Sequence, residues 1–355
     1  MSWFSSKRPS TDSADAPNAS RLEHHQILAG RLGHLNDAQQ AAFASFKADL
    51  AAAKLYTPGA PGGEPSHDDS TLLRFLRARK FDPKAAQKQF AATELWRKEH
   101  DVDRLYATFD PDEFEAAKHF YPRWTGRRDK TGHPVYVFHL ASLQPLQKDL
   151  NAVPPERRYQ RIVALWEFMR LFALPLSDSL PRPNTADICA VTSIIDLADV
   201  SLPSLWALRH HLQEASGLAT AHYPECMHST IVVNSPSFFP TVWGWIKAWF
   251  DEGTRLKVHV LGRDPGPTLR QLIDADNLPK AYGGNLDFTF RDEPVVDDVA
   301  SAALWKDAAQ STTNGSTPRA RVPRGPIVYR DGKLWRPRVD ESGTVVRVPI
   351  EEGAI

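Results

Sequence analysis

The residue types that could do chemistry are few and scattered. Arg74, Arg77, Arg79 and Lys80 crowd the stretch RFLRARKF, Glu225 sits in HYPECM, and Thr254 and Lys257 stand three apart in DEGTRLKVHV. Guanidinium and ammonium groups are the types that hold phosphate or carboxylate. Taken singly, however, a basic helix is ordinarily a solvated face, and lone charges before strands are ordinarily surface residues. Enzyme signatures are missing: there is no G-x-S-x-G elbow, no Walker A loop and no G-x-G-x-x-G. His24-His25 and His210-His211 lack metal-ligand spacing and read as solvated. Asp196 ends the run SIIDL, where α/β enzymes often place an acid. No nucleophile or base accompanies it, and helix capping is its expected role.

Bulk composition narrows the classes further. The 355-residue chain is 42% hydrophobic and 24% charged, and its 43 acidic residues balance its 43 basic ones. Zero net charge argues against nucleic acid as the main partner and against purely electrostatic holding on anionic lipid. The two cysteines, Cys189 and Cys226, form no metal-type pair and no disulfide framework, as in a reducing cytosol. The start of the chain lacks an apolar core of signal-peptide length. The stretch from Cys226 to Ile246 has no formal charge, but Asn234, Pro236 and Pro240 interrupt it, so a membrane-spanning helix is rejected.

The elements that must position these residues follow from periodicity. Residues 1–20 are Ser/Pro/Ala/Asp-rich and expected to be disordered. Phe43, Phe46 and Leu50 mark a helix; a second begins after Asp69 and Ser70; a third carries Phe90, Leu95 and Trp96. From about residue 115, strand-like runs (HPVYVFHLA, ICAVTSIIDL, STIVVNSP, KVHVLG) alternate with helical ones (PERRYQRIVALWEFMRLFAL, SLPSLWALRHHLQEASGL, TVWGWIKAWF, PTLRQLI). Apolar strands alternating with helices imply an α/β fold with a mainly parallel, helix-covered sheet. A linker is expected over 295–325 and a C-terminal extension over 326–355, where Asp331-Gly332 signals a β-hairpin and RVDESGTVVRV a second small one.

DDSTLLRFLRARKFD and LPKAYGG resemble signatures of the CRAL-TRIO lipid-binding family, more narrowly of the fungal phosphatidylinositol transfer proteins of the yeast Sec-fourteen type. YPRWTGRRDKTGHPVYVFHL, LWEF, IIDLADVSL, EAS, YPECM, IVVNSPSFF and VLG support the resemblance, which runs from about Leu35 to about Asp287. It implies an all-helical N-terminal subdomain over 35–105 and a lipid-binding lobe over 113–290, with a deep apolar pocket closed by a gate helix. It also implies headgroup binding by Arg79, Glu225, Thr254 and Lys257. The cations suit a phosphodiester, and Glu225 and Thr254 suit inositol hydroxyls. A second-ligand pocket maps onto Thr125, Phe168, Val191 and Ser193. Two tyrosines of the family pattern are lost there, and one small hydroxyl has become Val191, so weak phosphatidylcholine binding is expected.

The same resemblance makes TVWGWIKAWF the gate. Val242, Trp245, Ile246 and Trp249 fall on one helical face, and Trp243 and Phe250 widen it. Trp suits a membrane interface because its ring is apolar and its N–H can stay wet. The implied activity is a non-enzymatic, monomeric cytoplasmic carrier that meets Golgi, endosomal or other internal membranes transiently. It would exchange phosphatidylinositol and a second apolar lipid, or present the lipid to a kinase, with phospholipid as ligand and no cofactor or metal. The alternatives are a carrier of another hydrophobe such as a sterol, and a lipid-sensing adaptor acting through its C-terminal extension.

Overall fold

The computed structural model describes residues 28–60, 63–183, 185–249, 255–305 and 321–351. The expected tail, Thr254, Phe250 and residues 306–320 lie outside the described residues, as does the Trp249 side chain.

Three helices open the chain: α1 (Asp37–Ala52), α2 (Asp69–Ala78) and α3 (Pro83–Glu99). Asn36, Asp68 and Asp82 each cap a helix start by accepting backbone N–H groups left unpaired there. Phe46, Leu50, Leu72, Leu76 and Phe90 form their shared core. Short helices α4 (Val102–Ala107) and α5 (Pro111–Ala117) lead into the lobe.

The lobe is a five-stranded sheet: β1 (Arg123–Arg128), β2 (Pro134–His139), β3 (Val191–Asp196), β4 (Met227–Val233) and β5 (Val258–Val260), in that order. β1 pairs antiparallel to β2, and the other neighbours are parallel. β1 had no signal in the alternation pattern, because RWTGRR reads as polar. One sheet face carries Val135, Val137, Ile194 and Ile231 onto Leu269 of α11 (Gly266–Leu272) and onto Leu278, Leu286 and Phe288. The other carries Tyr136, Phe138 and Val232 towards α7 (Pro155–Phe168), α9 (Leu202–His222) and α10 (Phe239–Ile246), after the short α6 (Gln147–Ala152).

The run expected as one helix from Pro155 is interrupted by a π turn at Met169–Ala173 before α8 (Leu174–Ser179). Pro175 supplies the reason, since it has no N–H for the preceding turn and its ring crowds the carbonyl four residues back. The expected linker also begins later than 295. Asp298–Leu304 forms α12, capped by Asp297, and Val296, Ala300, Leu304 and Trp305 are buried in the main core. Their spacing is an apolar helical stripe that overrides the polar composition around it. After residue 320, β6 (Val328–Arg330), β7 (Lys333–Val339) and β8 (Val345–Pro349) form an antiparallel sheet. Asp331 and Gly332 both take left-handed backbone in the β6–β7 turn, as a two-residue hairpin requires. The Tyr106 hydroxyl donates to the Ile327 carbonyl at 2.8 Å and anchors this sheet to α4.

LPKAYGG owes its glycines to backbone geometry. Gly283 has φ +87°, and a Cβ on Gly284 would stand 2.0 Å from the Leu278 carbonyl oxygen. Gly284→Ala is expected to cost about 2–3 kcal/mol by urea denaturation, because backbone rather than a movable side chain must give way. An unchanged midpoint would show that the turn relaxes freely.

Candidate functional site

Between the sheet and the outer helices lies a cavity of about 1220 Å³. Phe138, Ile195 and Val232 line its floor, Ile162 and Met169 its side, and Leu205, Val242 and Ile246 its outer wall. It is apolar over most of its surface, with charge gathered where β4 and β5 begin.

That charge is built by α2 docking on the turn before β4. Arg74 and Arg77, three apart, share a helix face aimed into the lobe. The buried Arg74 donates through Nη1 to Cys226 Sγ at 2.7 Å. Arg77 Nη2 reaches Glu225 Oε2 at 2.9 Å, and Lys257 Nζ reaches the same oxygen at 3.0 Å. Glu225 Oε1 accepts no hydrogen bond from the described residues. Burial would push the Glu225 carboxyl up, but Lys257 and Arg77 outweigh it and hold the group below the usual carboxylate range. Glu225 also has φ +58°, a left-handed conformation that costs a side-chain-bearing residue about 1 kcal/mol or more. An ionised carboxylate bridging two cations with one oxygen free can accept from hydroxyls, and the cations can donate to a phosphate.

The structure brings together Glu225 and Lys257 and adds Arg77. Arg79 lies past the end of α2, exposed at the cavity edge, and donates to the Ala78 carbonyl. Helical phase could have singled out Arg77, since it shares a face with Arg74 while Arg79 falls in the C-cap turn. Of the four second-ligand positions, Val191 and Ser193 line the cavity. Thr125 and Phe168 do not. The Thr125 hydroxyl donates to the Val135 carbonyl within the β1–β2 pair, and the buried Phe168 packs against Phe114 and Phe172.

The outer wall departs from the sequence pattern in part. The inner face of α10 is Phe239, Val242, Trp243 and Ile246, with Trp245 half-exposed instead of buried. Val242 and Ile246 keep their expected place, but the stripe is completed by Phe239 and Trp243 instead of Trp245. Trp245 meets Trp206 of α9 edge-on at 6.1 Å, and the Arg209 guanidinium lies 4.4 Å from the Trp206 ring centre. Trp206 is 55% and Trp245 49% exposed, so an open aromatic seam joins α9 to α10 over the cavity. A Cβ on Gly244 would meet nothing within 4 Å, so packing does not require glycine there. Gly244 weakens α10 locally instead.

Two other expectations are corrected. Both His210 and His211 border the cavity: His210 is exposed at its edge, whereas His211 packs beside Tyr121 and burial pushes its pKa down to about 4. Asp196 caps no helix: it accepts from Asn234 Nδ2, the Ala198 N–H and the Tyr282 hydroxyl, and Ser201 caps α9. Among the described residues one cluster has metal-ligand types, Asp129, His133 and His228, with ligand atoms within 4.8 Å of one another. Asp129 already accepts from the N–H groups of Thr131 and His133 and from the hydroxyls of Thr131 and Thr192. The His133 and His228 rings stack in parallel at 3.7 Å, which sets their lone pairs side by side instead of on one point. The cluster braces the β1–β2 turn against β3.

No described helix is long and apolar enough to cross a membrane. The model of the CRAL/TRIO N-terminal domain matches residues 42–92, and that of the CRAL/TRIO domain matches 119–284. The Sec14 cytosolic factor of Schizosaccharomyces pombe is 37% identical over 256 residues, covering 72% of this chain and 85% of that protein. The SEC14 cytosolic factor of Eremothecium gossypii is 31% identical over 295 residues, covering 82% and 91%. An Arabidopsis thaliana relative named phosphatidylinositol/phosphatidylcholine transfer protein SFH9 is 31% identical over 230 residues, 62% of this chain and 38% of that protein. The crystal structure of Sfh5 shares the fold, with a TM-score of 0.54 at 19% identity over 72% of this chain and 89% of that one. With both halves of the domain matched and Sec14 factors aligned along most of their length, the chain belongs to the CRAL/TRIO family as a Sec14-like protein.

Proposed function

We propose that this protein is a carrier, not a catalyst, that takes phosphatidylinositol out of one membrane and releases it into another or presents it to a lipid kinase. The observation that carries the reading is a 1220 Å³ apolar cavity ending at the Arg77–Glu225–Lys257 cluster. Burying acyl chains is worth roughly 0.8 kcal/mol per CH₂, so such a cavity favours a two-chain lipid. In this reading Lys257 donates to the phosphate, Glu225 Oε1 accepts from inositol hydroxyls, and Thr254 and Arg79 complete the headgroup site. With Thr125 and Phe168 turned away from the cavity, phosphatidylcholine is the poorer ligand. The carrier works in the cytoplasm as a monomer and touches Golgi or endosomal membranes transiently. Lipid analysis of the protein as purified, with vesicle-to-vesicle transfer of labelled phosphatidylinositol, tests it. A co-purified sterol and no phosphoinositide transfer would overturn the ligand assignment.

Exchange requires the outer wall to move, and α10 is the element for it. Trp206 and Trp245 are placed to enter the membrane interface, being half-exposed and amphipathic. Trp243 is packed into the core, so its loss would confuse stability with function. The variant Trp206→Ala with Trp245→Ala is expected to slow vesicle exchange about fivefold while changing stability by about 0.5 kcal/mol or less, as surface substitutions do. Exchange at the wild-type rate would remove the gate assignment.

A further inference from the structure

The cavity floor is layered along the strands. Side chains on one sheet face recur every second residue, about 6.7 Å apart, and neighbouring strands lie about 4.8 Å apart. The first row, nearest Glu225, is Val191 beside Met227. The next row crosses three strands as Tyr136, Ser193 and Thr230, in direct register. The third is Phe138, Ile195 and Val232. All eight side chains line the cavity. The middle row thus carries a hydroxyl on every one of three adjacent strands, with apolar rows on both sides.

These hydroxyls are not used by the fold. Tyr136 is 8% exposed and its buried hydroxyl has no hydrogen-bond partner among the described residues, while Thr230, 9% exposed, faces the same cavity. Ser193 likewise has no side-chain partner there, whereas Thr192, one residue away on the other face, donates to Asp129 at 2.7 Å. Hydroxyls on the buried side of a sheet cost free energy unless something accepts from them. The row also has a defined place relative to the charges. The Thr230 N–H donates to the Lys257 carbonyl at 2.8 Å, so the row begins beside the lysine of the ion-paired cluster.

From the strand starts inward, the floor therefore runs from charged groups, past the single Val191–Met227 pair, to hydroxyls and then to bare hydrocarbon. A glycerolipid has the same order: charged headgroup, ester-linked glycerol, acyl chains. We infer that the Tyr136–Ser193–Thr230 row is an ester-reading subsite, whose hydroxyls donate to the acyl ester carbonyls of a diacyl glycerolipid. An ether-linked lipid of the same headgroup and chain length lacks those carbonyl acceptors and leaves the row unpaired. The subsite rests on the lipid-carrier reading but not on the inositol headgroup.

The test compares ester- and ether-linked lipids of matched chains for uptake from vesicles by the full chain, with phosphatidylinositol, phosphatidylcholine and headgroup-free diacyl- and dialkylglycerol as three pairs. Two hydrogen bonds of ordinary strength correspond to about a tenfold preference for ester. Thr230→Val with Ser193→Ala is expected to bring the ester-to-ether ratio below about two. Ester preference in every pair without preference for inositol would overturn the headgroup assignment alone. Equal uptake of ester and ether by the wild type in every pair, or an undiminished ratio in the folded variant, overturns the subsite.

Discussion

Lys257→Ala is expected to lower phosphatidylinositol transfer at least tenfold and to leave the protein folded. The two halves of that result have separate causes. A hydrogen bond from a cation to a charged oxygen is worth about 1.5–3 kcal/mol, and 1.4 kcal/mol is a factor of ten. Stability survives because Glu225 is not orphaned: Arg77 still reaches the same carboxylate oxygen at 2.9 Å. Lys257 is itself partly exposed, so its own pairing contributes little, about 0–1 kcal/mol. Donor-to-acceptor vesicle transfer and thermal melting, run on one preparation, separate the effects. Lys257→Arg should recover part of the transfer. Full transfer by Lys257→Ala would move the headgroup elsewhere in the cavity.

Glu167→Ala should have the opposite profile, a large loss of stability. Glu167 has 0% side-chain exposure and holds Arg97 at 2.8 Å, Arg170 at 2.6 Å and the Tyr223 hydroxyl at 2.7 Å. Removing it leaves the mostly buried Arg97 guanidinium with only the exposed Asp103 carboxylate and takes away the Tyr223 hydroxyl's acceptor, which costs about 2–3 kcal/mol. Tyr223 lines the cavity, so the network also supports one wall. Burial would raise the Glu167 carboxyl, but Arg170 and Arg97 more than offset it and hold it far below the usual range. A carboxyl depressed in the folded state contributes stability that is complete above its unfolded value, about 4.3. That contribution falls away as pH drops through the folded value. Urea midpoints of the wild type should therefore fall as acidity increases below about pH 5, and those of Glu167→Ala should fall less. Parallel curves would mean that Glu167 does not carry the acid sensitivity.

How much of this was legible beforehand differs by element. The three N-terminal helices, the parallel strands and the Asp331-Gly332 hairpin all announce themselves by short-range pattern, since each depends on residues a few positions apart. β1 did not, because a polar strand gains its place from a partner and not from its own alternation. α12 was hidden in a stretch whose composition reads as linker. Within the site, Glu225 and Lys257 came from motif resemblance, whereas Arg77 is distinguished from Arg79 only by helical phase and by where α2 stops.

Local pattern and motif spacing are enough to specify the fold class, the family and the chemical types available: cations, one carboxylate, and tryptophans beside a glycine. Which of them meet depends on how the distant elements pack. Arg77 and Glu225 are 148 positions apart, and Trp206 finds Trp245 across two helices. The hydroxyl row exists only because three strands align Tyr136, Ser193 and Thr230 at one level. Strand register is set by the burial of whole faces and by the pairing of backbone groups between strands, so no local stretch of the chain contains it.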